Sequence, residues 1–136
     1  MGDNMPVVTG FYLAILLLLY VLLSLQVSRY RRGNRVLFGD GDNIKLRSAI
    51  RAHANFAEYV PITVLMIAML EMAGMPAGQV HWLMGVLLLS RLIHPLGLYV
   101  GPRTWQFQVC RVGGITLTLF VMVSAVISGL VWFWPR

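Results

Sequence analysis

Long stretches without charge are the feature that most constrains this chain. No charged residue occurs in residues 4–28, 72–90 or 112–135. Each stretch reaches the about 20 residues that an α-helix needs to cross the hydrocarbon core of a bilayer. A fourth stretch, residues 44–70, is long enough to span if it tolerates the polar residues near its start. Only 12% of the residues are charged, against about 25% in an average soluble domain. The sequence therefore predicts an all-α, multi-pass membrane protein.

Turn-forming residues divide the chain into four predicted helices within a single domain, residues 1–136. Asparagine, aspartate and glycine are frequent in residues 33–43, and a Gly-Met-Pro sequence (residues 74–76) and a Gly-Pro pair (residues 101–102) mark the later breaks. The first apolar stretch lacks a basic leading region and a small-residue cleavage site, so we expect a retained span rather than a signal peptide. The predicted helices cover residues 6–32, 44–72, 77–99 and 105–134, a four-helix bundle.

The distribution of basic residues predicts the orientation. Six of them lie in or beside the first connection, none lies in the second, and the third contains Arg103; the six are Arg29, Arg31, Arg32, Arg35, Lys45 and Arg47. By the positive-inside rule, the first and third connections face the cytoplasm. If the source is bacterial, this places the chain in the inner (cytoplasmic) membrane. The net charge of +6 is thus attributed to orientation and contact with anionic membrane lipid, and no nucleic-acid partner is expected.

Polar residues converge at the predicted cytoplasmic ends of three helices. Arg51, Asn55 and Glu58 are spaced i, i+4 and i+7, so they share one face of the second helix. Because successive helices alternate in direction, further polar residues of helices three and four reach the same membrane depth: Arg91, His94, Tyr99 and Arg111. Ionisable groups are expensive inside a bilayer and usually mark a functional site.

The balance of charge in this group favours an anionic ligand. The three arginines Arg51, Arg91 and Arg111 share one carboxylate, Glu58, so about two positive charges lack a partner within the group. A small anion would neutralise them, and Asn55 and Tyr99 would add hydrogen bonds. Two structural alternatives remain open at this point, in which an ion pair of Glu58 with Arg51 or with Arg91 simply holds the bundle together. A small-anion channel ranks lower, because the outer halves of the spans offer no further cations.

The sequence contains no motif typical of several other classes of functional site. The three histidines show no metal-binding spacing and no carboxylate pair accompanies them, so no metal site is expected. Hydrolase and nucleotide-binding signatures are also absent from the sequence. His53 points away from the Arg51 face and is expected to pack against a neighbouring helix.

The sequence Arg51-Ala-His-Ala-Asn55-Phe-Ala-Glu58, followed by Pro61, resembles the second-helix signature of the MAPEG family, the membrane-associated proteins in eicosanoid and glutathione metabolism. Arg91-x-x-His94 and the arginine that opens the fourth helix match the same pattern. The resemblance covers nearly the whole chain. It implies a homotrimer that binds glutathione between subunits near the cytoplasmic face, with a hydrophobic electrophile or lipid hydroperoxide as second substrate.

The resemblance also implies a role for each site residue. The glutathione-binding set would comprise Arg29, Arg51, Asn55, Glu58, Arg91, His94 and Tyr99, with Arg111 beside the thiol. Ala54 and Val112 stand where some members have arginine and serine, and Tyr99 falls one position late. These departures argue against a specific prostaglandin or leukotriene synthase and leave general glutathione chemistry in place.

Two functional hypotheses follow from the resemblance. In the first, Arg111 stabilises the glutathione thiolate, and the chain is a glutathione transferase and peroxidase that serves detoxification. In the second, the chain is a non-catalytic lipid-binding or scaffold member of the same family. The presence of Arg51, Asn55, Glu58 and Arg111 favours the first.

Overall fold

The computed structural model describes residues 5–100 and 103–135, and this part of the chain is helical throughout, without strands. The helix α3 continues as a 3-10 helix, and a short π-helix leads directly into α4. The elements are α1 (Val7–Asn34), α2 (Ile44–Met72), α3 (Ala77–Ile93), the 3-10 helix (His94–Tyr99), the π-helix (Phe107–Val112) and α4 (Gly113–Trp132). The Gly101-Pro102 pair, which was expected to separate the third and fourth helices, lies outside the described residues.

Four helical segments are long and apolar enough to cross a membrane. They contain 28, 29, 23 and 26 residues, counting the 3-10 and π-helical turns with their neighbours. Each exceeds the length needed for a hydrocarbon core of about 30 Å. The predicted all-helical, four-span architecture is confirmed for the described residues.

The third predicted helix differs from the structure in its last two turns. Residues 77–99 were expected to form one helix, but α-helical geometry stops at Ile93. Pro95 has no N–H to donate to the carbonyl of Arg91, so the regular i to i−4 pattern ends there. The chain continues in the tighter 3-10 form, which moves His94 and Leu98 relative to a regular helix.

The core lies where α1 and α4 each pack against both α2 and α3. Its buried side chains are mostly leucines, valines and methionines, together with Ile67 and the aromatic residue Phe56. The ring of Tyr20 on α1 stacks with those of His53 and Phe56, with centroid separations of 4.6 and 5.3 Å. His53 Nε2 also lies 3.1 Å from Ser24 Oγ. His53 therefore packs against α1, away from the Arg51 face.

The connection between α1 and α2 is fixed by polar contacts. The Asn43 side chain caps α2 by accepting a hydrogen bond from the backbone N–H of Leu46 at 3.0 Å. Arg47 donates to Asp40 and also lies 3.5 Å from Asp42. The hydrogen bond from Arg47 lowers the pKa of the Asp40 carboxyl. Both acidic residues of this loop are thus engaged by one arginine.

At the opposite end of the bundle, Glu71 holds the start of α1. Its carboxylate accepts hydrogen bonds from the backbone N–H groups of Val8 and Thr9, both at 2.8 Å, and from the Thr9 hydroxyl at 2.6 Å. The first N–H groups of a helix lack partners within the helix, and a carboxylate is favoured there by the helix dipole. Glu71 therefore joins the end of α2 to the beginning of α1.

We expect Glu71→Gln to destabilise the bundle by about 1–2 kcal/mol, because hydrogen bonds to a charged acceptor are stronger than those to a neutral amide. The measurement is thermal unfolding of the detergent-solubilised protein. Asp42→Asn is the matched control, since Asp42 is an exposed carboxylate in a loop. Equal melting temperatures for wild type and Glu71→Gln would show that this contact does not stabilise the fold.

Candidate functional site

One cavity gathers four of the residues that the sequence singled out. It has a volume of about 210 Å³ and lies between α2, the 3-10 helix, the end of the π-helix and the start of α4. The predicted residues among its lining are Arg51, Asn55, His94 and Arg111, and the others are Tyr59, Leu98, Val112 and Ile115. Two guanidinium groups thus face one cavity, and no carboxylate is found among its described lining residues.

The α2 side of the cavity explains why Tyr59 belongs to it and Glu58 does not. At about 100° per residue, Asn55 and Tyr59 lie roughly 40° and 80° from Arg51 in one direction, whereas Glu58 lies about 20° in the other. The cavity faces the Asn55–Tyr59 side. The i, i+4, i+8 spacing of Arg51, Asn55 and Tyr59 is the sequence signal that could have identified the tyrosine.

Arg91 is buried behind the cavity rather than in it. Its side chain is 1% exposed. Nη1 donates to Asn55 Oδ1 at 2.8 Å, Nη2 donates to the Gly114 carbonyl at 3.3 Å and to the Thr118 hydroxyl, and Nε donates to Ser90 Oγ at 3.3 Å. Neutral oxygens from three helices therefore surround this cation. In the single chain it supports Asn55 and makes no direct contact with the cavity.

The contact with Arg91 fixes the orientation of the Asn55 amide. A guanidinium can only donate, so Oδ1 of Asn55 must face Arg91 and the amide –NH₂ must point elsewhere. Asn55 lines the cavity, and no described residue accepts a hydrogen bond from this –NH₂ group. Asn55 can therefore offer donors to an anionic or carbonyl oxygen of a ligand.

The π-helix positions Arg111. Its guanidinium carbon lies 5.0 Å from the centroid of the Phe107 ring, a cation–π arrangement within one turn. The Arg111 carbonyl accepts a hydrogen bond from His94 Nδ1–H at 3.1 Å. In a neutral imidazole this leaves Nε2 as an acceptor. His94, which is 5% exposed, thereby ties the 3-10 helix to the segment that carries Arg111.

Two glycines allow this close approach. A Cβ at Gly97 would lie 2.4 Å from the Arg111 backbone nitrogen, and one at Gly114 would lie 2.8 Å from His94 Cβ. Neither space could admit a side chain without movement of the surrounding backbone. These glycines set the distance between the two elements that hold His94 and Arg111, a role that sequence analysis missed.

Besides Arg91, three predicted ligands lie outside the cavity in the single chain. Arg29 and Glu58 are exposed on α1 and α2, and Tyr99 is 39% exposed on the 3-10 helix. No α1 residue lines the cavity. Their proposed contacts with a ligand therefore require a second subunit or a ligand that extends beyond the cavity.

The alternative of internal ion pairs finds no support in the described part of the chain. Between described residues, carboxylates lie within 4 Å of arginine or lysine only at Arg47, which pairs with Asp40 and Asp42. Glu58 therefore neutralises neither Arg51 nor Arg91 there. The charge of Arg51 and Arg111 remains available to a ligand.

The comparisons with known proteins agree with this architecture. The model of the MAPEG family matches residues 9–131. The chain is also 34% identical over 128 residues to the inner membrane protein YecN of Escherichia coli strain K12, covering 94% of this chain and 93% of YecN. YecN of Escherichia coli O6:H1 strain CFT073 shows the same identity and coverage. No solved structure matches the chain significantly.

This chain is an integral, multi-pass membrane protein and belongs to the MAPEG family.

We expect Gly97→Ala to lower the stability of the protein by about 1–3 kcal/mol, because the added methyl group overpacks the contact with the Arg111 backbone. Thermal unfolding in detergent measures the effect. Gly10→Ala is the matched control: Gly10 lies inside α1 with no atom near its potential Cβ, so alanine there is expected to leave stability unchanged or raise it. Two equal melting curves would contradict the close packing described above.

Proposed function

We propose that this chain is a membrane-bound glutathione transferase with glutathione peroxidase activity. The observation that carries the proposal is that Arg51 and Arg111 line the same cavity. No carboxylate is found among the described residues of its lining. Glutathione has two carboxylates, one ammonium group and a thiol. Its net negative charge complements the two guanidinium groups, and the amide donors of Asn55 suit its carboxylate or peptide oxygens.

In the proposed mechanism, Arg111 stabilises the thiolate of bound glutathione. Lowering a thiol pKa from about 8.5 to about 6.5 requires roughly 2.7 kcal/mol. A guanidinium about 4 Å away contributes on the order of 4 kcal/mol at an effective dielectric constant of 20, but only about 1 kcal/mol in bulk water. One arginine is therefore sufficient if water is excluded. Arg111 is exposed in the single chain, so the ligand and a neighbouring subunit would have to shield it.

The thiolate can undergo two reactions in which atoms and electrons balance without a further cofactor. In the transferase reaction, sulfur bonds to an electrophilic carbon, whose leaving group or π-bond takes the electron pair. In the peroxidase reaction, sulfur attacks the peroxide, the O–O bond breaks, and a second glutathione completes the disulfide while an alcohol and water form. An apolar groove along the α2–α4 contact, which includes Ile62, Met66 and Met122, offers a place for a hydrophobic second substrate.

A shared site in a homotrimer is part of the proposal. Glu58 is the middle residue of α2 (Ile44–Met72) and is exposed on the surface of the single chain. A carboxylate facing lipid at that depth would be costly, which favours coverage by another subunit or by the ligand. Such coverage would bring Glu58 and the exposed Arg29 of different chains towards a common site.

The proposed location is the inner membrane, with the site facing the cytoplasm. The relative YecN is an inner membrane protein, and this chain has four candidate membrane spans. The basic connection between α1 and α2 lies at the same end of the bundle as the cavity, which agrees with a cytoplasmic site by the positive-inside rule.

The mechanism is tested by titrating the ultraviolet absorbance of the thiolate in glutathione-bound protein. We expect an apparent thiol pKa of about 6.5 in wild type and about 8.5 in Arg111→Ala. Arg111→Lys retains a cation and should show an intermediate value. Arg103→Ala, which removes an exposed arginine outside the cavity, is the control and should match wild type. An unchanged thiol pKa in Arg111→Ala would refute the assignment.

A further inference from the structure

A different cavity lies at the end of the bundle where α2 passes into α3, opposite the connection between α1 and α2. It has a volume of about 310 Å³, and its walls come from the turn before α3, the start of α3 and the last turns of α4. The described lining residues are Met75, Gly78, Gln79, Trp82, Leu83 and Ser128. None of them lines the cavity of Arg51 and Arg111, and the proposed glutathione chemistry does not use them.

Two polar side chains of this cavity are free to bind a ligand. Thr118 and Ser124, on the same helix as Ser128, each donate a hydrogen bond to the backbone carbonyl four residues earlier, at 2.9 Å. Ser128 forms no such bond, and neither its hydroxyl nor the Gln79 amide has a hydrogen-bond partner within the described part of the chain. Amide and hydroxyl groups without a partner are costly in an apolar medium. A ligand that pairs with them is therefore favoured in a membrane.

The chemistry of the lining favours a neutral group of the ligand. No ionisable side chain is found among the described lining residues, so a charged group would enter without a countercharge. The Gln79 amide carries two N–H donors and one carbonyl acceptor, and the Ser128 hydroxyl can donate or accept. These donors suit the carbonyl oxygen of an ester, which can accept two hydrogen bonds and can donate none.

The position of the cavity along the helices indicates a lipid. Gln79 is the third residue of the candidate span Ala77–Tyr99, and Ser128 lies four residues before the end of α4. At 1.5 Å per residue, both lie about 3–6 Å from a helix end. Trp82, which is 52% exposed, contacts the exposed ring of Phe120 edge to face at 5.6 Å, and tryptophan is typical of the membrane–water interface. The ester groups of phospholipids lie at this depth, between the hydrocarbon core and the headgroups.

We propose that this cavity binds the glycerol-ester region of a membrane phospholipid. The Gln79 amide and the Ser128 hydroxyl donate hydrogen bonds to an ester carbonyl, and the acyl chain lies against the exposed rings of Trp82 and Phe120. Because the lining offers no charge to the headgroup, the ester rather than the headgroup is the part of the lipid that is recognised.

The test is native mass spectrometry of the full-length, delipidated protein in a neutral detergent. The protein is titrated with phosphatidylethanolamine and, separately, with its ether-linked analogue, which has the same headgroup and chains but no ester carbonyls. We expect wild type to bind the ester lipid about three- to tenfold more tightly, the effect of one or two hydrogen bonds between neutral groups. Ser128→Ala and Gln79→Leu should each reduce this ratio, and the double variant should bind the two lipids equally. Affinity for the ether lipid should stay at the wild-type value.

Ser124→Ala is the matched control. It removes a hydroxyl from the same helix one turn away, but that hydroxyl already donates to the Phe120 carbonyl and does not line the cavity. Its ratio of ester to ether affinity should equal that of wild type. Comparing ratios between variants isolates this cavity from lipid bound elsewhere on the protein. Equal affinity of wild type for the two lipids would overturn the proposal, as would equal reductions in Ser124→Ala and Ser128→Ala, or an unchanged ratio in the double variant.

Discussion

The hydrogen-bonded guanidinium of Arg91 is the feature on which the half of the bundle that contains the cavity depends. Transfer of an unpaired charge to an apolar interior is prohibitively costly. Here the cost is offset by the oxygens of Asn55 on α2, Ser90 on α3, and Gly114 and Thr118 on α4. Each of these oxygens must remain within hydrogen-bond distance for the buried guanidinium to keep its partners. A single side chain thus fixes the relative positions of three helices and the orientation of Asn55.

This arrangement separates a structural arginine from two that can bind a ligand. Arg91 is surrounded by neutral protein oxygens, whereas Arg51 and Arg111 are exposed at the cavity and form no ion pair with a described residue. The difference arises from backbone geometry. Gly97 and Gly114 allow the 3-10 helix to approach the π-helix closely, and the hydrogen bond from His94 to the Arg111 carbonyl holds the two together. The proposed chemistry depends on that rigid support behind an open, cationic cavity.

The sequence predicted the four spans and part of the site, for identifiable reasons. Uncharged runs are a strong signal because the bilayer imposes a minimum length, and the bounds of α2 agreed with the prediction. Helical periodicity grouped Arg51 with Asn55, but it added Glu58 rather than Tyr59 to that group. Periodicity alone does not show which edge of the helix face packs against the neighbouring helices. The burial of Arg91 depends on the Gly114 carbonyl and Thr118, which no periodic pattern marks. The change to 3-10 geometry depends on Pro95, and the close approach of the π-helix depends on tertiary contact at Gly97.

The most direct test of the account is calorimetric titration of the detergent-solubilised protein with glutathione and with its dimethyl ester. If unmatched guanidinium charge in the Arg51–Arg111 cavity recognises the ligand, glutathione should bind at least about tenfold more tightly than the ester, and added salt should reduce that difference. Equal affinity for the acid and the ester, or no binding of either at millimolar concentration, would contradict the account.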